Sequence, residues 1–380
     1  MELNELRKEI DSIDDELVAL FTRRMAISGQ IAGVKKEKSL PIFVPARERE
    51  KLADVAQKAG AELAKDTQVL YSMLFELSRG YQNKLNGSKS LLNDRIAQAI
   101  NTTEKLFPQA PMVACQGVEG AFSQIACEKV FKDPFILYFK NQEAVFSAVE
   151  QGLCRYGILP LENSTAGTAK KVYDLLIKHQ FSIIRSCRVK IDHNLLVNPG
   201  TKQSDIREIY SHQQALNQCS AFLQQFPEAV IIPVANTAMA AEAVSKSGRS
   251  DVAALSSRSC MELYNLECLA ASVQDRDADH TRFICFSKDL EIYPGSDRTS
   301  LMLILPNRPG SLYKFLARLY VLGINVAKVE SRAIPGRDLE LMFYFDLETS
   351  IYSGEFVQLM CELEELCEDF RYLGSYLEVL

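Results

Sequence analysis

Ten positions near the start of the chain, Leu3, Leu6, Ile10, Ile13, Leu17, Leu20, Arg24, Ile27, Ile31 and Val34, fall at alternating steps of three and four. That spacing draws one apolar stripe along a single long helix, in the manner of a coiled-coil seam. One of the ten is an arginine. A buried, unpaired charge is costly, so a guanidinium kept inside such a stripe calls for an anion to meet it. Arg7 and Lys35 share a heptad phase that flanks the stripe, so three cations border one strip. Something negative is expected to bind inside this helical bundle. A helix of that length cannot bury its stripe against the two shorter helices that follow, so pairing with a second copy of the chain is expected.

Composition narrows the class. A chain of 380 residues accommodates two or three domains. Apolar content of 47% and charged content of 24% are ordinary for a globular protein. A net charge of −6 gives no reason to expect nucleic acid or an anionic membrane as partner. The opening MELNELRKEIDSID lacks the apolar core of a signal peptide, and no apolar run reaches membrane-spanning length, so a cytoplasmic location is expected. Ten cysteines without CxxC or CxxH spacing read as reduced, structural thiols, and four scattered histidines offer little to a metal. Neither a metal nor a cofactor is expected.

The pattern divides the chain into four stretches. Residues 1–88 read as helix only: the first helix runs to Ser39, a second begins at Pro45, and a third carries Leu70, Leu74, Leu77, Tyr81 and Leu85 before Asn86-Gly87-Ser88 breaks it. Residues 89–110 form a helical linker. From 111 to 288, strands alternate with helices, and four short apolar runs end in small polar residues placed to open a helix: Glu162-Asn163-Ser164-Thr165, Ser211-His212, Asn236-Thr237 and Ser256-Ser257. Strand ends followed by helix N-termini hold acidic ligands in open α/β sheets, so a two-lobed α/β domain with a cleft for an acidic small molecule is expected. Residues 297–380 follow a βαββαβ order with a short last strand, which fits a ferredoxin-like α+β module.

Particular residues carry family resemblances. Leu6-Arg7, Arg24, Lys35, Arg47-Glu48, Ser78 and Gln82 resemble the all-helical chorismate mutases, which form intertwined dimers. Pro160-Leu161-Glu162-Asn163-Ser164, Tyr210-Ser211-His212, Gln218-Cys219 and Thr281-Arg282-Phe283 resemble the prephenate dehydratases, whose fold is like the type II periplasmic binding proteins. Pro309-Gly310-Ser311-Leu312 and Glu330-Ser331-Arg332 resemble an ACT regulatory module. In that order the three resemble the bifunctional chorismate mutase/prephenate dehydratases of phenylalanine biosynthesis.

The resemblance implies roles. In the mutase, Arg24 and Arg7 of a second copy hold the two carboxylates of chorismate. Lys35 and Gln82 face the ether oxygen, Glu48 accepts from the ring hydroxyl, and Arg47 and Ser78 complete the wall. Such a rearrangement requires no proton transfer and no cofactor, only a held conformer and stabilised charge, and arginine forks suit a dicarboxylate. In the dehydratase, Thr281 donates to the leaving hydroxyl of prephenate. Asn163, Ser164, Ser211 and Gln218 are neutral partners, and Glu162, Arg282 and Phe283 shape the site. Gly310, Ser311, Leu312, Glu330, Ser331 and Arg332 are expected to bind L-phenylalanine as an inhibitor. The family usually has an aspartate where Val44 stands, and valine cannot cap the second helix, so a looser start is expected there. An arogenate dehydratase and a non-catalytic amino-acid sensor are the alternatives.

Overall fold

The structure is a computed structural model that describes residues 3–86, 90–164, 167–276, 279–334 and 340–379. Gly87-Ser88 of the expected helix break and Thr165 lie outside the described residues. The chain gathers into two compact units, one of residues 1–98 with 301–371, the other of 99–300 with 372–380. The amino-terminal helices and most of the carboxyl-terminal segment therefore share a unit.

In that unit, the first helix spans Leu3–Glu37. Pro45–Asn86 follows as one helical run interrupted at Gly60, whose φ of 77° and ψ of 168° divide it into the two helices expected. Its first turn is held by backbone bonds from the amides of Arg47 and Glu48 to the Val44 carbonyl. The long helix meets its neighbour where Arg24, Ser28 and Gly29 face Ser78, Gln82, Tyr81 and Leu85, and Ser28 and Ala32 are buried. Most of its stripe stays open: Leu17 is 54% exposed and Leu20 62%.

The carboxyl-terminal segment runs strand Arg298–Ile304, helix Ser311–Val321, strands Asn325–Ala333 and Leu341–Glu348, helix Gly354–Leu366 and strand Asp369–Val379. The edge strand Asn325–Ala333 pairs antiparallel with Leu341–Glu348, Glu330 opposite Tyr344. The last strand has eleven residues rather than the short span expected. Its end serves the second unit, where Leu377, Glu378 and Val379 pair in parallel with Arg185, Ser186 and Cys187. Gly374 permits that approach, since a Cβ there would lie 2.1 Å from the Ile183 carbonyl oxygen.

The second unit has two lobes. In the first, Phe135–Phe139, Met112–Gln116 and Tyr156–Asn163 pair in parallel, and His280–Ser287 and Ser182–Lys190 continue the sheet antiparallel. Val113, Ile158, Phe283 and Cys285 form its core. In the second, the order is Glu267–Ala270, Asn194–Val197, Val252–Ser256, Glu208–Ser211 and Val230–Pro233. The chain passes between lobes twice, at 190–194 and 270–280. One expectation fails: Glu162-Asn163 does not open a helix. The strand runs through Asn163, Gly167–Thr168 pairs back upon it, and the helix begins only at Lys170.

All ten cysteines are free thiols. Burial pushes Cys219 up to about 12, which keeps it protonated and unreactive.

Candidate active sites

Between the two lobes of the second unit lies a cavity of about 670 Å³. Glu162, Asn163, Gln218, Thr281 and Phe283 of the expected set line it, together with the Gln116-Gly117-Val118 turn. Alternation along the strand explains part of this. Thr281 and Phe283 share a face, whereas Arg282 points the other way, donating from Nη2 to the Tyr376 hydroxyl at 2.7 Å and facing Glu378 at 3.3 Å. Glu162 lies 3.9 Å from Arg282. Ser211 does not reach the cleft: fully buried, its hydroxyl donates to the Leu255 carbonyl at 2.7 Å and ties two strands together.

The cleft is organised by a residue that the sequence reading missed, Asp279. It is 3% exposed, and its carboxylate collects three donors. Asn163 Nδ2 reaches Oδ1 at 3.1 Å, Ser164 Oγ reaches the same oxygen at 2.6 Å, and Gln218 Nε2 reaches Oδ2. A carboxylate only accepts, so these contacts fix which way each amide faces. Asn163 Nδ2 then also donates to Thr281 Oγ1 at 2.9 Å. With its oxygen accepting from that amide, the Thr281 hydroxyl keeps its own proton available to donate, and Thr281 lines the cleft. At the other end, the Gln218 carbonyl oxygen faces His193 Nε2 at 3.0 Å, which requires the proton on Nε2. Burial holds His193 below its ordinary value, although the Gln218 hydrogen bond and the Asp279 charge oppose the shift. Its Nδ1 is buried and has no hydrogen-bond partner among the described residues, as suits a neutral ring. His212 lines the same cleft, caps the following helix through Nδ1, and is also lowered by burial.

The strip on the long helix is built differently. Arg24 Nη1 donates to the Leu74 carbonyl at 3.2 Å and to Ser78 Oγ. Among the described residues it makes no ion pair, and burial lowers its guanidinium. One turn on, Gln82 Nε2 donates to Ser28 Oγ at 2.9 Å, leaving its buried Oε1 without a partner. The helices thus meet in two polar rungs, 24 with 78 and 28 with 82. Lys35 Nζ donates to the Ile42 carbonyl at 2.6 Å, and Glu48 is held by Arg79. Arg47 turns outward to Glu50 at 2.8 Å, and Arg7 is exposed, so neither joins the strip within one chain.

In the carboxyl-terminal segment, Gly310 adopts φ 86° ahead of the helix Ser311–Val321, where Leu312 lies in the first turn. Ser311 borders a cavity of about 260 Å³ that also touches Glu76, Arg79, Lys314 and Arg318. Glu330, Ser331 and Arg332 do not line it; they sit on the edge strand, with Lys328 3.4 Å from Glu330 and Arg332 5.9 Å from the Tyr344 ring centre.

A helical strip around Arg24 and a two-lobed α/β cleft around Asp279 and Thr281 give the chain two candidate sites. Comparison with known proteins agrees with that division. The chorismate mutase type II family matches residues 6–83, and the prephenate dehydratase family matches residues 113–291. A bifunctional chorismate mutase/prephenate dehydratase of Enterobacter agglomerans is 31% identical over 385 residues, spanning 98% of this chain and 95% of that protein. The protein of that name in Aquifex aeolicus is 28% identical over 386 residues, spanning 100% and 99%. A crystal structure of prephenate dehydratase from Arthrobacter aurescens in complex with L-Phe matches with a TM-score of 0.63 at 26% identity, covering 70% of this chain and 90% of that one. The chain belongs to the bifunctional chorismate mutase/prephenate dehydratase family. Its two activities are those of a chorismate mutase and a prephenate dehydratase, in phenylalanine biosynthesis.

Proposed function

We propose that the chain acts as a homodimer or higher homo-oligomer, with chorismate rearranged on the helical strip and prephenate dehydrated in the cleft. Arg24 and Arg7 of a second copy hold the two carboxylates, Lys35 and Gln82 stabilise charge growing on the ether oxygen, and Glu48 accepts from the ring hydroxyl. The exposed stripe on the first helix supports pairing, because apolar surface of that extent is ordinarily covered. Within the cleft, Thr281 donates to the departing hydroxyl while carbon dioxide leaves and the ring becomes aromatic.

The observation that carries the reading is the directed hydrogen-bond chain from His193 through Gln218, Asp279 and Asn163 to Thr281. It leaves one hydroxyl aimed to give rather than receive. The fused mutase, which makes prephenate from chorismate, favours prephenate over its amino-acid analogue arogenate. An arogenate dehydratase/prephenate dehydratase of Arabidopsis thaliana is 34% identical over 281 residues, spanning 70% of this chain and 71% of that protein, so arogenate belongs in the test.

The carboxyl-terminal segment is an ACT-type, ferredoxin-like module that binds L-phenylalanine at an interface between two such modules, through Gly310–Leu312 and Glu330–Arg332, and lowers dehydratase activity. The βαββαβ order and the L-Phe complex of the Arthrobacter relative support this. The experiment feeds purified chain with chorismate, prephenate or arogenate and measures phenylpyruvate or phenylalanine, with and without added phenylalanine. Phenylpyruvate from chorismate and prephenate, little turnover of arogenate, and inhibition by phenylalanine are expected. Equal turnover of arogenate overturns the substrate assignment, and insensitivity to phenylalanine overturns the effector.

A further inference from the structure

A line of alternating charges crosses from the carboxyl-terminal module to the mutase strip, all within one compact unit. Lys314, on the helix Ser311–Val321, lies 3.7 Å from Glu76. Glu76 also binds Arg79, and the other arm of Arg79 binds Glu48. Glu76 and Arg79 keep only 10% and 14% of their side-chain surface exposed, so these pairs are shielded from water far more than surface pairs are. The Phe43 ring covers Arg79, its centre 4.8 Å from the guanidinium carbon. Arg79 Nη1 occupies one oxygen of Glu48, Oε1, and the second oxygen is the one a substrate hydroxyl would use.

The seat of Lys314 is itself anchored beside Arg79. The buried pair of Arg318 and Glu362 joins the module's two helices, and Arg318 rests directly on Gly80. A Cβ at that position would come within 2.5 Å of the guanidinium. Gln358 Nε2 donates to the Gly80 carbonyl at 3.2 Å. The module therefore grips the mutase helix one residue after Arg79, and the cavity of about 260 Å³ next to this grip is bordered by Ser311, Lys314, Glu76 and Arg79 together.

We propose that Arg79 is a positioning residue for the mutase step and that Lys314 sets how firmly it holds Glu48. The carboxyl-terminal module thereby acts on the mutase site through charge, and this rests on the reading of Glu48 as acceptor for the ring hydroxyl. Lys314 shares the charge of Glu76. Without that share, Glu76 draws Arg79 toward itself and Glu48 loosens. Because Glu48 meets the substrate hydroxyl before and during reaction, the effect falls on KM more than on kcat.

The test uses the full chain, with mutase and dehydratase activities measured separately on chorismate and on added prephenate. Arg79→Met raises the mutase KM about tenfold, as expected for a lost charge-assisted contact, and Arg79→Lys recovers most of it. Lys314→Gln raises KM about twofold, the smaller effect of a half-exposed pair, and has no further effect in a Glu76→Gln background. Dehydratase turnover of prephenate stays unchanged in all of them. An unchanged KM in Arg79→Met, or parallel loss of both activities, overturns the positioning role. A Lys314→Gln effect that persists in the Glu76→Gln background overturns the path from the module. Glu48→Gln separates the premises: if it leaves mutase activity intact, the reading of Glu48 fails and the proposal falls with it.

Discussion

The strip around Arg24 and the cleft around Thr281 handle charge in opposite ways. The strip holds a guanidinium that meets no carboxylate among the described residues, on a helix whose apolar stripe stays open and whose expected partner Arg7 points to solvent. The cleft buries a carboxylate and meets it with three donors, two amides and a hydroxyl, from its own fold. On the proposed reading the first site awaits substrate and a second copy, whereas the donors around Asp279 all come from one chain. The difference follows the chemistry. Holding a dicarboxylate in one conformer calls for unspent positive charge, whereas expelling a poor leaving group calls for one donor fixed in direction.

The sharpest way to break this contrast is reciprocal. Arg24→Ala is expected to lower mutase turnover by roughly 10²–10³-fold, the usual cost of removing one preorganised charged donor, while added prephenate is converted normally. Thr281→Ala is expected to do the reverse on a comparable scale. Single-substrate kinetics on both variants check this. If both activities fell together in folded proteins, two independent sites could not be maintained.

A smaller effect sharpens what the buried carboxylate does. Asp279→Ala leaves Asn163, Ser164 and Gln218 without their acceptor, and dehydratase kcat is expected to fall about 10- to 100-fold, in line with the cost of orphaned buried donors. Asp279→Asn should be far milder. Its amide oxygen still accepts from Asn163 and Ser164, and its amide nitrogen is accommodated if Gln218 turns over and His193 moves its proton to Nδ1. Steady-state kinetics on both variants distinguish an orienting role from a need for charge: equal losses in the two would mean that the negative charge itself matters.

These residues also mark how far the sequence could be read. The seam arginine was legible because helical periodicity places it on the apolar stripe, whereas Ser78, Gln82, Thr281 and Phe283 were legible through the family resemblance of their motifs. Asp279 could have been found by extending strand alternation two residues back from Thr281. Arg79 carried a weaker signal, its spacing of three from Glu76 along a helix. His193 carried none, since it lies where the chain crosses between lobes and meets Gln218 only through the fold. Ser211 misled for a related reason. At a strand end a small hydroxyl serves a ligand or a neighbouring carbonyl equally well, and here the Leu255 carbonyl takes it. The second unit's share of the last strand was also invisible, because that strand's end pairs with residues nearly two hundred positions away.

Acid offers the mildest test of the contrast, because only the cleft hides neutral imidazoles. The unfolded chain carries His193 near its ordinary 6.5, and burial holds the folded ring lower. Between those two points the unfolded state binds the extra proton, so stability is fully present above the unfolded value and declines as pH falls below it. The slope cannot exceed about 1.4 kcal/mol per pH unit for one such group. His212 adds to the same trend, since burial lowers it too. Calorimetric unfolding between pH 7.5 and 5 is expected to show the transition of the dehydratase unit moving down in temperature on the acid side. His193→Gln keeps a donor facing Gln218 and removes the titration, so its transition should move less. If the variant followed the same curve as the parent, titration of the buried ring would have no energetic consequence, and the neutral state assigned to His193 would lose its support.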